Sequence, residues 1–318
     1  MLAVSFSENF VRFGQLVQGE TGLSIETIQK KPLEFVFEPA LLRDNGFVTK
    51  LEPVFTAIQN SLPVPDRYLA LSLRTDWFSL SVNAVDTDLD PEQVREVLDW
   101  NEQQRLGNWY AQKFVQHYPL RSPSNSIQKN YLTVSYYKEL GRVLNKASQA
   151  AGFTIKVFDI NIFSTAQTIN LLNPELKNLR WGLWYVDDKR QELLIIENDE
   201  CSQYFEFGFT DSENYQVTKF ACPDQHGRSI IDQLNGLRTF QTEKIDVLDR
   251  VYFFSDNVTT EFFNILLTYE VENFVCFNPF QTIKPVDMDM SDGDGVGAMC
   301  QFADVLGLLL RFMPEAKL

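Results

Sequence analysis

The chain has 318 residues, 44% of them hydrophobic, with 28 Lys and Arg against 43 Asp and Glu for a net charge of −15. That length accommodates two ordinary domains with a substantial core, and the composition excludes a disordered chain. So negative a protein is repelled by phosphate backbones and anionic membrane surfaces, which argues against nucleic acid or lipid headgroups as partners.

Four cysteines, Cys201, Cys222, Cys276 and Cys300, all lie beyond residue 200 with no close pair. The spacing matches neither a zinc site nor a disulfide framework, so reduced thiols in a cytosolic protein are the expectation. Met1 to Ser7 lacks the basic start and apolar core of a signal peptide. The late apolar stretch Val305–Phe312 is broken by Gly307 and Arg311 and is too short to cross a bilayer. A cytoplasmic location follows as an expectation.

Three apolar runs, Leu2–Phe6, Val11–Val17 and Leu23–Ile28, are separated by turn-like Ser7-Glu8-Asn9 and Gln18 to Gly22, which predicts a β-meander. Val48, Leu51, Val54, Phe55, Ile58 and Leu62 repeat at helical spacing before Pro63 and Pro65. Tyr68–Leu73 and Trp77–Val85 read as strands. Asp90-Pro91-Glu92-Gln93 supplies an N-cap acceptor, a proline at the first helical position and a glutamine three residues after the cap. Tyr131–Tyr136, a helix through Leu140, Val143, Leu144 and Ala147, and Phe153–Ile160 suggest a βαβ-like unit.

Near residue 180 the opening pattern returns. Gly182–Val186, Glu192–Ile196 and Tyr204–Phe209 read as three strands, followed by a helix at Ile230–Leu237 and a strand at Arg250–Phe254. The expectation is a mixed α/β chain of two halves with a similar plan, 1–176 and 177–318, and no short-period repeat.

Catalytic signatures are sparse. His117 and His226 are the two histidines, read either as a base or as surface and packing residues, and no H-E-x-x-H, G-x-S-x-G or Walker lysine loop accompanies them. Asp287 to Gly295 alternates carboxylates as a calcium loop does, but the sixth position is Asp292 where glycine is needed and the twelfth is Ala298 where glutamate closes the site. An acidic loop is the better reading, and no metal is expected. Asp187-Asp188 sits at a predicted hairpin tip, where solvated acids are ordinary.

Several phrases in order resemble the actin-like ATPases, in particular the pilus-assembly branch of PilM proteins and the cytoplasmic part of GspL. They are Val4 to Arg12 at the family's first strand–turn–strand, Pro91 to Arg105 with Trp100 and Glu102, Tyr131 to Ile169, Asn278-Pro279-Phe280, and Ala303 to Arg311 at its terminal helix. The resemblance implies a duplicated ribonuclease H-like core with an inserted subdomain at about 88–158 and ATP with magnesium between the halves. It also implies a peptide groove involving the inserted subdomain, where Trp100, Trp109, Tyr110, Tyr136 and Tyr137 are candidates. Those aromatics suit cores as well as interface anchors.

The match fails where the family's chemistry lies. Ser5 stands for the first aspartate and Ser7 for its glycine, and Arg12 alone keeps the basic character of the family's lysine. Trp184-Tyr185-Val186-Asp187-Asp188 replaces the second phosphate turn, and Phe254-Ser255-Asp256-Asn257 replaces the adenosine glycines. Side chains at such turns crowd phosphates, and added acids repel them. The expectation is a catalytically silent scaffold with no cofactor that binds a protein or short peptide, such as the cytoplasmic tail of a membrane protein. It would lie at the inner membrane through that partner in a pilus or secretion-type assembly. The alternative is an active or nucleotide-binding ATPase or kinase-like enzyme with a divergent phosphate site, which alone would call for ATP and Mg.

Overall fold

The opening meander forms as its turns dictate. In a computed structural model, β1 (Leu2–Phe6) pairs antiparallel with β2 (Phe10–Gly19), and β2 with β3 (Gly22–Pro32). The structure describes residues 1–19, 22–121, 126–186, 191–209, 215–221, 232–233, 247–256, 273–281 and 299–311. On the other edge of β1 lie β4 (Tyr68–Leu73) and β8 (Thr154–Ile160), both parallel to it, giving the order β3-β2-β1-β4-β8.

Alternation along these strands divides the burial between two faces. Phe6 stacks on Phe37 at 4.7 Å and meets Phe55 of α1 (Phe47–Gln59) edge-on, with α3 (Lys138–Ala150) packed against α1. On the opposite face Ala3, Leu16, Ile25, Ile28 and Ala70 pack against Val305, Leu306 and Leu309 of α5 (Ala303–Leu310). α4 (Asn161–Leu172) lies against α5. All eight residues of α5 are buried, and each leucine so placed contributes about 1.5–3 kcal/mol of transfer free energy.

A second sheet repeats the plan. β9 (Arg180–Val186), β10 (Gln191–Glu197) and β11 (Glu200–Phe209) form an antiparallel meander, and β13 (Arg250–Phe254) and β14 (Phe274–Cys276) run parallel to β9. With β12 (Tyr215–Ala221) outermost, the order is β12-β11-β10-β9-β13-β14. Without β12 it is the order of the first sheet. Asn198 and Asp199, at φ 51° and 65°, make a two-residue turn between β10 and β11, both positions being in the left-handed region that such tight hairpins require.

An additional sheet, β5-β7-β6, is built from β5 (Ser79–Asp86), β6 (Lys113–Pro119) and β7 (Gln128–Tyr137). α2 (Pro91–Leu106) packs on it and begins as its sequence predicts. The Asp90 carboxylate accepts from the amides of Glu92 and Gln93 at 2.9 and 3.0 Å, and the Gln93 side chain accepts from the Asp90 amide. This capping box satisfies donors that the first helical turn leaves orphaned.

The chain forms two compact units, one of Met1–Phe78, Tyr136–Leu172 and Asn278–Leu318, the other of Ser79–Ser135 and Asn173–Phe277. Of the segment 88–158, α3 and β8 therefore belong with the first sheet. α5 follows the second sheet in the chain but packs on the first. The expected βαβ-like unit is not formed: β7 lies in the additional sheet, whereas the parallel partner of β8 is β4. Helical and strand periodicity identify elements but not their sheets. The strand expected from Trp77 starts at Ser79, after a 3-10 turn over Thr75–Trp77. The calcium-like stretch Asp287–Gly295, His226, Cys222, Asp187, Asp188 and nearly all of the helix expected at Ile230–Leu237 lie outside the described residues.

Candidate functional site

Antiparallel register sets Ser5 directly opposite Arg12 across β1 and β2, on the face covered by α5. Both are fully buried, and so is Asp304 in the first turn of α5. Arg12 Nη2 donates to Ser5 Oγ at 3.0 Å and to Asp304 Oδ2 at 3.2 Å, and Ser5 Oγ donates to the same carboxylate oxygen at 2.5 Å. Arg12 Nη1 donates to the Gln301 carbonyl, and Asp304 Oδ1 accepts from the Val305 amide. The Arg12 guanidinium is thus held by a carboxylate of its own chain. A hydroxyl suits position 5, because an aspartate there would bury a second carboxylate against Asp304.

The turn above this cluster is also closed. The Ser7 amide donates to the Phe10 carbonyl at 2.9 Å, as does Ser7 Oγ at 3.1 Å, so an amide that a phosphate turn would offer outward is used within the loop. Glu8 places a carboxylate in this turn, 3.6 Å from Arg74.

In the second sheet Trp184 is fully buried, its indole N–H donating to Gln191 Oε1 at 3.1 Å. Tyr185 donates its hydroxyl to Asp256 Oδ1 at 2.6 Å, and Ser255 and Asp256 are buried at the end of β13. Ser5, Ser7, Trp184, Ser255 and Asp256 are all buried side chains. Among the described residues no group of three or more His, Cys, Asp or Glu could hold a metal ion.

The additional sheet contains a polar chain, buried at Glu102 and Thr133, that sequence reading missed. Asn83 Nδ2 donates to Glu102 Oε1 at 3.1 Å and to Thr133 Oγ1 at 3.0 Å. Thr133 Oγ1 lies 2.8 Å from His117 Nδ1, and His117 Nε2 lies 3.2 Å from Asp99 Oδ1, which also accepts from Tyr110. Thr133 Oγ1, with two lone pairs and one proton, accepts from Asn83 and can either give a hydrogen bond to Nδ1 or accept one from it, while Asp99 only accepts from Nε2. Hydroxyl, imidazole and carboxylate here follow the order of a catalytic triad, but Thr133 is fully buried and no substrate can reach it.

Glu102 anchors the other end of that chain. It is buried on α2 and accepts from Ser81, Asn83 and the Nε and Nη2 of Arg105. Burial raises its pKa, but hydrogen bonds from Arg105, Ser81 and Asn83 outweigh that and hold the carboxyl below its ordinary 4.5. A depressed folded-state pKa contributes stability above the unfolded value and loses it as pH falls through the folded one. Urea midpoints should therefore drop below pH 4.5, and Glu102→Gln should flatten that dependence while lowering stability at neutral pH.

The aromatic candidates separate into two groups. Tyr136 packs with Phe78 and Phe158 at 5.7 and 4.9 Å, and Tyr137 beside it is half-buried. Trp100 on α2 and Trp109 on the following 3-10 turn are 60% and 57% exposed, and Tyr110 is half-buried by its bond to Asp99.

No family model matches the sequence, and no curated protein does. Solved structures do. The chain from the PilM-PilN type IV pilus biogenesis complex superimposes with a TM-score of 0.67 at 14% identity, covering 98% of this chain and 97% of that one. The cytoplasmic domain of EpsL, an inner-membrane component of the Vibrio cholerae type II secretion system, gives 0.45 at 9% identity over 98% and 95%. A Bacteroides thetaiotaomicron protein with an actin-like ATPase fold gives 0.42 at 12% over 87% and 90%. The first of these superpositions and the strand order repeated in the two sheets agree. This chain has a duplicated ribonuclease H-like, actin-like ATPase fold, as its sequence leads one to expect.

Proposed function

We propose that this chain is a catalytically silent actin-like scaffold that binds a protein partner in a pilus or secretion-type assembly. The observation that carries the silent half is the buried Arg12–Asp304 pair with Ser5 between them. A phosphate would have to displace an internal carboxylate that α5 holds in place. The partner half is supported by likeness of fold to the PilM chain of a complex with PilN. We read the chain as taking a protein or short peptide from a membrane-anchored partner, and so residing in the cytoplasm beside the inner membrane. No described helix is long and apolar enough to cross a membrane.

Thermal unfolding with Mg·ATP tests the silent half. A ligand at 100 times its Kd stabilises the folded state by about 2.7 kcal/mol, which shifts Tm by several degrees. Addition of millimolar Mg·ATP is expected to leave Tm within about 1 °C of the free protein. A saturable shift of several degrees would establish the nucleotide-binding alternative, and phosphate release would make it an enzyme. For the partner half, affinity capture should recover an inner-membrane protein with a short cytoplasmic tail.

A further inference from the structure

α2 turns two chemically different faces outward and inward. Leu98 and Glu102 point into the additional sheet, while Gln93, Glu96, Trp100, Gln103 and Gln104 fall at helical spacing on the solvent side. A tryptophan 60% exposed at the middle of that face leaves most of its indole in water. Large aromatics left open in this way are the residues that anchor protein interfaces.

Charge indicates what would cover it. Between residues 86 and 99 the sequence holds Asp86, Asp88, Asp90, Glu92, Glu96 and Asp99 against a single base, Arg95. Arg95 is itself paired with Asp99 at 3.8 Å. Asp88, Glu92 and Glu96 are exposed and hold no ion pair among the described residues. The helix dipole accounts for acids in the first turn, but its effect fades within that turn and reaches neither Glu96 nor the exposed indole. A second copy of this chain, an anionic lipid surface or a nucleic acid would meet like charge here.

We propose that the solvent face of α2, centred on Trp100, docks a basic segment of a partner protein. A lysine or arginine of that segment sits over the indole, and its neighbours lie against the carboxylates of Glu92 and Glu96. Cation–π attraction and charge complementarity act together, the first fixing position and the second steering approach. This deepens the scaffold reading by naming the chemistry of the partner.

The test uses the full chain and two synthetic peptides of one length, an amphipathic Lys/Arg–Leu helix and its counterpart with Glu in place of every base. Trp77, Trp181 and Trp184 are buried, so acrylamide quenching of intrinsic fluorescence reports Trp100 and Trp109. The basic peptide should bind saturably and protect the indoles at physiological salt, and the acidic one should not. Trp100→Ala and the double variant Glu92→Lys/Glu96→Lys should each weaken binding by about tenfold or more, followed by anisotropy of a labelled peptide. Glu34→Lys/Glu38→Lys changes net charge equally at exposed positions elsewhere and should alter binding less than about twofold.

All the substitutions are on exposed side chains, and unchanged Tm shows that the variants fold. Equal weakening by the two double variants would mean unspecific attraction and overturn the proposal, as would an unaffected Trp100→Ala or no saturable binding. Each of those results removes this docking face alone. The scaffold reading fails separately, on a nucleotide-dependent Tm shift in the same protein.

Discussion

Asp304→Ala should lower the unfolding free energy by about 3–5 kcal/mol, the range seen when one partner of a buried ion pair is removed. The carboxylate and the Arg12 guanidinium have no exposed surface, so deleting the acid strands a cation that water cannot reach. Ser5 also loses the acceptor of its shortest hydrogen bond, and the Val305 amide loses its side-chain partner. Replacing both charges, as Arg12→Met with Asp304→Leu, should recover stability to within about 2 kcal/mol of the original chain, because a well-packed apolar pair avoids the desolvation of two ions. Urea unfolding of the three proteins measures the difference. A double variant as unstable as the single one would mean that packing around α5, not the charge pair, sets the loss. If the double variant is stable, Mg·ATP binding to it can be examined with the internal carboxylate gone.

The parts of this architecture that depend on neighbours in sequence were legible. The Asp90 cap, the two three-strand meanders and the stop before Tyr68 each rest on signals within about ten residues, and each is found. The parts that depend on distant partners were not. Nothing local distinguishes β7, which joins the additional sheet, from β8, which joins β4. Short β14 has three residues and is stabilised by its parallel neighbour β13, so it carries no pattern of its own.

The candidate site divides in the same way. The losses at Ser5 and Ser7 are visible in the opening phrase, but the residue that explains them, Asp304, lies 299 positions away. One signal pointed to it: a lone acid in an otherwise apolar terminal helix requires a buried partner. The chain contains one basic residue in its first 29 positions, Arg12, and it is the partner found. The polar chain through His117 gave less warning, since Asn83, Asp99, Glu102 and Thr133 are ordinary on amphipathic elements until strands and helix are brought together.

Gly307→Ala is expected to be at least as disruptive as loss of Asp304, by roughly 3 kcal/mol or more, although it adds a single methyl group. α4 and α5 approach so closely that a Cβ on Gly307 would collide with the Ser164 carbonyl oxygen and the Thr168 hydroxyl, and would lie 2.7 Å from the Ser164 carbonyl carbon. Two of those atoms are backbone and cannot rotate away. Thr168 Oγ1 is meanwhile bonded to the Ala303 carbonyl at 2.8 Å and to the Ser164 carbonyl at 3.1 Å, so it is not free to yield. The helices must separate, and that movement would pull Val305, Leu306 and Leu309 from the first sheet and draw Asp304 away from Arg12. Helix propensity alone runs the other way, since alanine in a helix interior is favoured over glycine by about 1 kcal/mol. The sign of the measured change therefore decides between propensity and close approach. A lower urea midpoint, accompanied by a weaker response to Asp304→Ala in the Gly307→Ala background, would show that the glycine acts by seating the ion pair. A stabilised variant would mean that α4 and α5 lie farther apart than this packing requires.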